Sequence, residues 1–503
     1  MKKEIQKPNI LGYLPNEKPP FGQLILLGAQ HVLTMFPATA LASILMKFPI
    51  STALTVTGIG TIITLLLSRL IIKKYIPLYY GASFAYIAAV QAILNAKGVT
   101  GPVAPPNVIG IITAGFIATG IINILVGAAI KASGGKKAID RILPPIITGS
   151  VACTIGVGLG AAALSSASGS CCGITEPALQ LRWWGVAFIT LLAAYLFSVY
   201  LQGKGFIGML PILLAAIVGY LVSIPLGLVD FANFGKEAIL RMPQFTLPVF
   251  NDPLTLTVIL GVGVMAIATV PESTAHLYQI SLYVDHLADQ KGEERYHLDR
   301  HIGFNLVLDG IDDLINGLLG SPAGTNYGEN NSLMVVSRNY SGPSLMMAGA
   351  IAIVLGFFGP LAEAVHSIPT AVTGGLSIYL FGVIGMQGIA LLMSEKVNLY
   401  DPKQLAIGAT ILIVGIGGNI GFPGGFLPIP LLKGIFPFGW PAIATAAVLG
   451  ILMNAITLVF KPSVEREAVE DKEFSAPGLM PQPDQDGENK RISQIDAPQG
   501  DEK

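Results

Sequence analysis

Three residues combine type and spacing in a way that suits chemistry away from bulk water. Glu272 and His276 stand at i and i+4, on one helix face, within IATVPESTAHLYQI. Glu329 stands in a second mainly apolar stretch, SPAGTNYGEN. Two carboxylates close together in low dielectric resist both being ionised, so one of them holds a proton, and an imidazole beside them is placed to share it. Charged side chains are costly inside a membrane and usually mark a site or pathway there. His31, in GAQHVLTMF, reads as a structural polar residue, and Asp309 as one that bonds the backbone near Gly310. Asp312 and Asp313 are adjacent and so face different ways, which puts at least one of them at a water-filled cavity or a helix end.

Glu-x-x-x-His is also a metal-ligand spacing, but catalytic zinc takes three protein ligands and the sequence places no third nearby, so no metal is expected. His297 and His301, in KGEERYHLDRH, share a helical face and read as solvated. Cys171 and Cys172 read as free small residues in an outer loop. No phosphate-binding loop, dinucleotide fingerprint or nucleophile elbow occurs in a fitting context, so no ATP-driven pump or hydrolase is implied.

The elements that must position these residues are membrane helices. The chain has 503 residues and is 52% hydrophobic but only 12% charged, against about 25% charged in a soluble domain. Residues 461–503 hold 17 of its 61 charges, which leaves the rest nearly bare of them. A soluble enzyme is excluded, and so is a nucleic-acid binder, which needs a basic surface. Twelve stretches of roughly 20 residues or more carry no Lys, Arg, Asp or Glu. With 302–320 and the region around Glu329 they predict fourteen spans, an all-α membrane protein. With the N-terminus inside, inner loops carry eighteen Lys and Arg and outer loops six, in keeping with the positive-inside rule. Residues 1–20 read as an inner tail and not a signal peptide, and 462–503 as a disordered inner tail.

Two segments break the helical pattern at matching depths, Ile76-Pro-Leu-Tyr-Tyr-Gly-Ala-Ser-Phe84 and Ser321-Pro-Ala-Gly-Thr-Asn-Tyr-Gly-Glu-Asn330. Their Tyr-Gly pairs, Tyr80-Gly81 and Tyr327-Gly328, stand 247 residues apart. Broken segments at corresponding places in two halves predict an inverted repeat of 7+7 spans, interrupted in spans 3 and 10, with a binding site at the midplane. Facing half-helix N-termini would offer N–H donors and positive dipole ends to a polar solute.

At these residues the sequence resembles the nucleobase/ascorbate transporter family, nearest to its uracil permease branch. Gln30-His31 resembles the family's first-span motif, Tyr80-Gly-Ala-Ser-Phe-Ala-Tyr86 its third-span signature, Glu272-Ser-Thr-Ala-His276 its Glu-x-x-x-His, and Gly320–Asn330, closing at Arg338, its tenth-span signature. The sequence departs from the family's pattern at Pro37, at Pro322-Ala-Gly-Thr-Asn326, at Asn331-Ser332 and at Ser337. Ser332 adds bulk and a hydroxyl near the site, which bears on which substrate fits.

The resemblance implies a core domain at 21–141 (spans 1–4) and 254–365 (spans 8–11), and a gate domain at 142–236 (spans 5–7) and 366–461 (spans 12–14). It implies import of a nucleobase, uracil ahead of xanthine or uric acid, by proton symport with alternating access; an anion carrier on the related sulfate-permease fold ranks below both. Glu272 and Glu329 would bind the base, with backbone donors at Phe84 and Gly328 and with Ser83 and Tyr327 beside them. His276 and Glu272 would couple the proton, and Asn330, Ser332, His31 and Asp313 would assist. No cofactor is implied beyond a coupling ion, a proton ahead of sodium. The expected partners are the nucleobase, the lipid bilayer and a second copy in a homodimer, with no nucleic acid. The expected setting is the cell (inner) membrane, multi-pass, with both termini cytoplasmic.

Overall fold

Proline, more than charge, punctuates this chain. Pro106, Pro145, Pro177, Pro211 and Pro402 each open a helix at its first position, where a missing N–H costs nothing. Asp401 accepts a hydrogen bond from the Lys403 N–H at 3.2 Å, capping the helix that Pro402 opens, and Ser341 accepts from the Ser344 N–H at 3.3 Å, capping one more helix start. The computed structural model describes residues 12–460 apart from 134–140, 142, 202–203, 205–206, 209, 230–234, 236–237 and 431–438. Residues 1–11 of the tail expected at 1–20, and the tail expected at 462–503, lie outside the described residues.

The protein is predominantly helical. Among the described residues, eight helices are long and apolar enough to cross a membrane: Phe21–Met46, Ile50–Ile72, Pro106–Ala132, Pro145–Ser168, Pro177–Tyr200, Thr370–Ser394, Pro402–Gly421 and Ala442–Val459. Phe84–Ala96, Pro211–Ser223 and Gly342–Gly356 are apolar but shorter. Three further helices carry Glu272, the three aspartates and Glu329: Ala266–Lys291, Ile302–Leu319 and Gly328–Ser337. Their lower hydropathy follows from the polar residues they carry, some buried against protein and others, such as Glu272 and Glu329, open to solvent.

Small residues decide how these helices meet. Ile302–Leu319 lies along Pro106–Ser133, where Gly310 meets Gly120 and Gly303 meets Gly127 backbone to backbone. Gly342–Gly356 lies along Ile50–Ile72 through Gly349 and Gly58. Thr370–Ser394 lies along Pro145–Gly158, with Gly385 against Gly156 and Gly388 against Gly149. Lipid tails are as apolar as leucine, so such helices associate through close backbone approach and dispersion rather than through hydrophobic burial.

Residues 12–17, within the expected inner tail, are anchored by hydrogen bonds and an ion pair. The Tyr13 N–H donates to the Arg338 carbonyl at 2.9 Å, the Tyr340 N–H donates to the Tyr13 carbonyl at 2.8 Å, and Lys291 Nζ lies 2.6 Å from Glu17 Oε2. His297 and His301 do not share an α-helical face: His297 is in the left-handed region at φ 49°, and His301 ends the one-turn 3-10 helix Leu298–His301. Cys171 and Cys172 are free and exposed.

Candidate functional site

Two short strands interrupt the helices where the sequence breaks. Tyr80–Ala82 pairs antiparallel with Gly324–Asn326, Gly81 opposite Thr325. The ladder continues through the Ser83 N–H donating to the Ala323 carbonyl and the Tyr327 N–H donating to the Tyr79 carbonyl, both at 2.9 Å. Each strand thereby satisfies backbone that a helix would otherwise satisfy, in a place where water is scarce. Counted from the start of each strand, Tyr80 is equivalent to Gly324 and Phe84 to Gly328, an offset of 244 residues. The two Tyr-Gly pairs, 247 residues apart, are therefore not equivalent positions. Tyr80-Gly81 lies inside a strand, whereas Tyr327-Gly328 forms the turn from strand to helix. Their real relation is contact. The Tyr327 ring lies on Gly81, where any Cβ would overlap it.

A helix leaves each strand, and antiparallel pairing sends the two out from opposite ends of the ladder. The first begins as the 3-10 turn Phe84–Tyr86 and continues as Ile87–Ala96; the second is Gly328–Ser337. Ser83 Oγ accepts from the Ala85 N–H at 3.3 Å, and Tyr327 provides no side-chain cap. The N–H groups of Phe84 and Gly328 have no partner among the described residues. They are exposed helix-start donors of the kind that suit an acceptor on a ligand.

Glu272 follows Pro271 on the helix Ala266–Lys291, one turn before His276. Glu272 and Ala275 are open to solvent while Ser273, Leu277 and Ile280 are buried. On the helix Gly328–Ser337, Glu329 and Ser332 are likewise open while Asn330, Asn331 and Leu333 are buried. Glu272 interacts electrostatically with both His276 and Glu329, so the two carboxyls and the imidazole form one group. Phe84 is half-buried and meets Phe381 edge-on, ring centroids 6.4 Å apart. It also packs against the cluster of Leu41, Ala194, Ala215 and Leu380, where helices from four parts of the chain meet.

Residues 22–424 match the model described as the Permease family. The chain belongs to that family. It is 33% identical over 443 residues to the uracil permease of Bacillus caldolyticus, covering 88% of this chain and 93% of that one. It is 31% identical to the uracil permease of Escherichia coli K12, covering 89% and 93%, and 31% identical to the putative pyrimidine permease RutG of the same organism, covering 88% and 91%. Among solved structures it resembles the transmembrane domain of the cyanobacterial bicarbonate transporter BicA, with TM-score 0.55 and 15% identity over 88% of this chain and 99% of that one. It also resembles murine Slc26a9 in the inward-facing state, with TM-score 0.59 and 11% identity over 89% and 69%. At such identities the likeness is one of fold. The protein is thus a multi-pass membrane permease and not an enzyme.

Other residues of the permease build the frame behind this group. His276 Nδ1 lies 2.6 Å from Asn326 Oδ1 and 3.0 Å from the Asn326 carbonyl. Asn326 Nδ2 in turn donates to Ser273 Oγ at 2.7 Å, as does Asn305 Nδ2. Ser83 and Tyr327 are buried, and Tyr327 Oη donates to the Ala82 carbonyl at 2.9 Å and lies 3.0 Å from Thr39 Oγ1. Asn330 Nδ2 donates to the His31 carbonyl at 3.1 Å and lies 3.1 Å from His31 Nδ1, tying the helix Gly328–Ser337 to Phe21–Met46. Glu272, His276, Gly328, Glu329 and Ser332 are therefore together, with Phe84 across the ladder. Ser83, Tyr327, Asn330 and His31 hold that arrangement from behind.

The acids of Ile302–Leu319 stand elsewhere than expected. Asp309, Asp312 and Asp313 are all buried, and none stands at a helix end. They turn toward the strand Gly324–Asn326: Asn326 Nδ2 donates to Asp309 Oδ1 at 3.4 Å, and the Gly324 N–H donates to Asp313 Oδ1 at 3.0 Å. Adjacent residues on a helix diverge by about 100°, but a strand crossing the helix reaches both. Sequence reasoning also missed Asn326 and Ser273. The signal for Asn326 was its place in the second broken segment, and Asn305 stands as an amide in an apolar stretch, IGFNLVL.

Proposed function

We propose that this permease carries a nucleobase, uracil in the first place, together with a proton, by alternating access. The observation that carries the reading is the pairing of two electrostatically interacting carboxyls, Glu272 and Glu329, with N–H groups at Gly328 and Phe84 that have no partner among the described residues. Uracil has two ring N–H donors and two carbonyl acceptors around one edge. Carboxyls accept from the donors and the backbone N–H groups donate to the carbonyls, leaving no buried group unpaired. Phe84 offers an aromatic face to the planar ring. The names of the relatives, uracil and pyrimidine permeases, agree with this reading. An anion of the kind carried by the bicarbonate transporter would meet two carboxyls and is disfavoured.

In this reading Glu272 takes the coupling proton and His276 assists. The helices group as fourteen spans in a 7+7 repeat, with Thr255–Gly263 and Ala266–Lys291 as one broken span. Residues 21–141 and 254–365 form the core, 142–236 and 366–461 the gate. The contacts between Pro106–Ser133 and Ile302–Leu319 on one side, and between Pro145–Gly158 and Thr370–Ser394 on the other, support that division. Both termini face the cytoplasm, and the gate pairs two copies in a dimer.

Uptake of labelled uracil by cells expressing the permease, in competition with unlabelled xanthine, hypoxanthine, thymine and sulfate at two external pH values, tests the function. Uracil should compete best and uptake should rise at the lower pH. Competition by xanthine but not uracil would reassign the substrate to a purine. Competition by sulfate alone would overturn the nucleobase reading.

A further inference from the structure

Away from Glu272 and Glu329 the permease holds a carboxyl that almost nothing serves. Asp312 is 1% exposed, its Oδ2 accepts from Asn316 Nδ2 at 2.8 Å, and its Oδ1 has no hydrogen-bond partner among the described residues. One oxygen rests on Gly60 of the helix Ile50–Ile72 and the other on Gly324 of the second strand; a Cβ on either glycine would overlap the carboxyl. Asp312 is thus the wedge between that helix and the strand pair. Its neighbour Asp313 is served differently, accepting the Gly324 N–H at 3.0 Å on Oδ1 and Asn123 Nδ2 at 2.9 Å on Oδ2.

The groups that face Asp312 do not favour charge. Its own helix presents Asp309 and Asp313. The first broken segment presents Tyr79 and Tyr80, both buried; the Tyr79 hydroxyl interacts electrostatically with Asp312 and has no hydrogen-bond partner among the described residues. The helix Ile50–Ile72 presents Gly60, with Thr61 and Thr64 turned to backbone carbonyls. The helix Pro106–Ser133 presents Asn123. His276, from Ala266–Lys291, reaches Asp309. No Lys or Arg among the described residues pairs with Asp312. A carboxylate with one donor, two acidic neighbours and no cation is costly to bury, whereas a carboxylic acid is not.

We propose that Asp312 is a second proton-binding site, separate from the Glu272–Glu329 group. It keeps its proton while the strand pair is seated on the helix Ile50–Ile72 and gives it to water only when that contact opens. The O–H bond of the acid breaks on opening and re-forms on closure, with solvent as source and sink of the proton. Closure of the strand pair and protonation of Asp312 are then one event. The proposal does not depend on which solute the permease carries.

Infrared spectroscopy of the purified protein in detergent at neutral pH, comparing wild type with Asp312→Asn and with Glu272→Gln, tests it. One component of the neutral carboxylic-acid stretch should be lost in Asp312→Asn and remain in Glu272→Gln. Uptake by Asp312→Asn, whose amide cannot ionise, should persist to higher pH than wild type. If Asp312→Asn does not give folded protein, Asp312→Ser, smaller and equally unable to ionise, allows the same comparison. Loss of a carboxylate band, or an infrared difference with no carboxylic-acid component, overturns the proposal. Failure of uracil uptake with that band intact would count against the nucleobase reading alone.

Discussion

His276 and Asn326 are bound to each other through both the side chain and the backbone of the asparagine. The Asn326 amide donates through Nδ2 to Ser273 Oγ, so its Oδ1 faces His276 Nδ1 as an acceptor, and so does its carbonyl. Nδ1 must therefore carry a hydrogen, which leaves Nε2 turned toward Gly328. The strand sets the tautomer, and the tautomer sets what His276 presents to the site.

Asn326→Ala should therefore have two effects. It strips partners from buried groups on Ser273 and His276, for a loss of about 1–3 kcal/mol that thermal unfolding in detergent would register. It also frees the imidazole to turn, so substrate affinity should fall by more than stability explains. An unchanged affinity in folded Asn326→Ala would mean that His276 needs no fixed tautomer.

The broken segments and the ionisable residues at depth were legible because each violates a pattern: a proline-glycine interruption in an apolar run, or a charge inside one. The register between the segments was not. Tyr80-Gly81 and Tyr327-Gly328 look like repeats, yet the ladder pairs Tyr80 with Asn326 and puts Tyr327 on Gly81. A dipeptide carries no information about which residue of a strand faces which. The placement of Asp312 and Asp313 was hidden for a similar reason, since a strand crossing their helix is not a property of the helix.

The contact between Tyr327 and Gly81 predicts an interaction between mutations. Gly81→Ala alone should abolish uptake, because its Cβ has no room beside the ring. Gly81→Ala combined with Tyr327→Ala should recover part of the lost stability, a coupling readable from the double-mutant cycle. Tyr327→Phe keeps the ring, loses the bond to the Ala82 carbonyl and should cost about 1 kcal/mol.

Lys97 and Asp252 join the segment after Ile87–Ala96 to the one before Thr255–Gly263 at 2.8 Å, both partly exposed. Burial works against the Asp252 carboxylate, but the Lys97 ammonium and the Leu254 N–H outweigh it and hold the group below its ordinary range. A carboxyl depressed on folding adds stability above its unfolded pKa and loses it as pH falls through the folded value. Asp252→Asn should thus be less stable than wild type at neutral pH, by about 0.5–1 kcal/mol after solvent screening. Melting curves of the two should converge in strong acid.

Glu329 separates binding from architecture most directly. It is open to solvent at the first turn of Gly328–Ser337, and the neighbouring Asn330 and Asn331 hold that helix from behind. Glu329→Ala removes an acceptor without touching those bonds, so the fold should survive. A ligand in excess stabilises a protein according to its affinity, so uracil should raise the melting temperature of wild type and leave Glu329→Ala unmoved. Glu329→Gln keeps one acceptor oxygen but adds a donor facing the base, and should weaken binding by about tenfold or more, the scale of one charged hydrogen bond. Ser332, one turn further on the same open face, gives the control: Ser332→Gly changes the space beside Glu329 but not its charge. It should alter the ranking of uracil against larger bases while leaving stabilisation by ligand in place. Full stabilisation of Glu329→Ala by uracil would remove this carboxyl from the site.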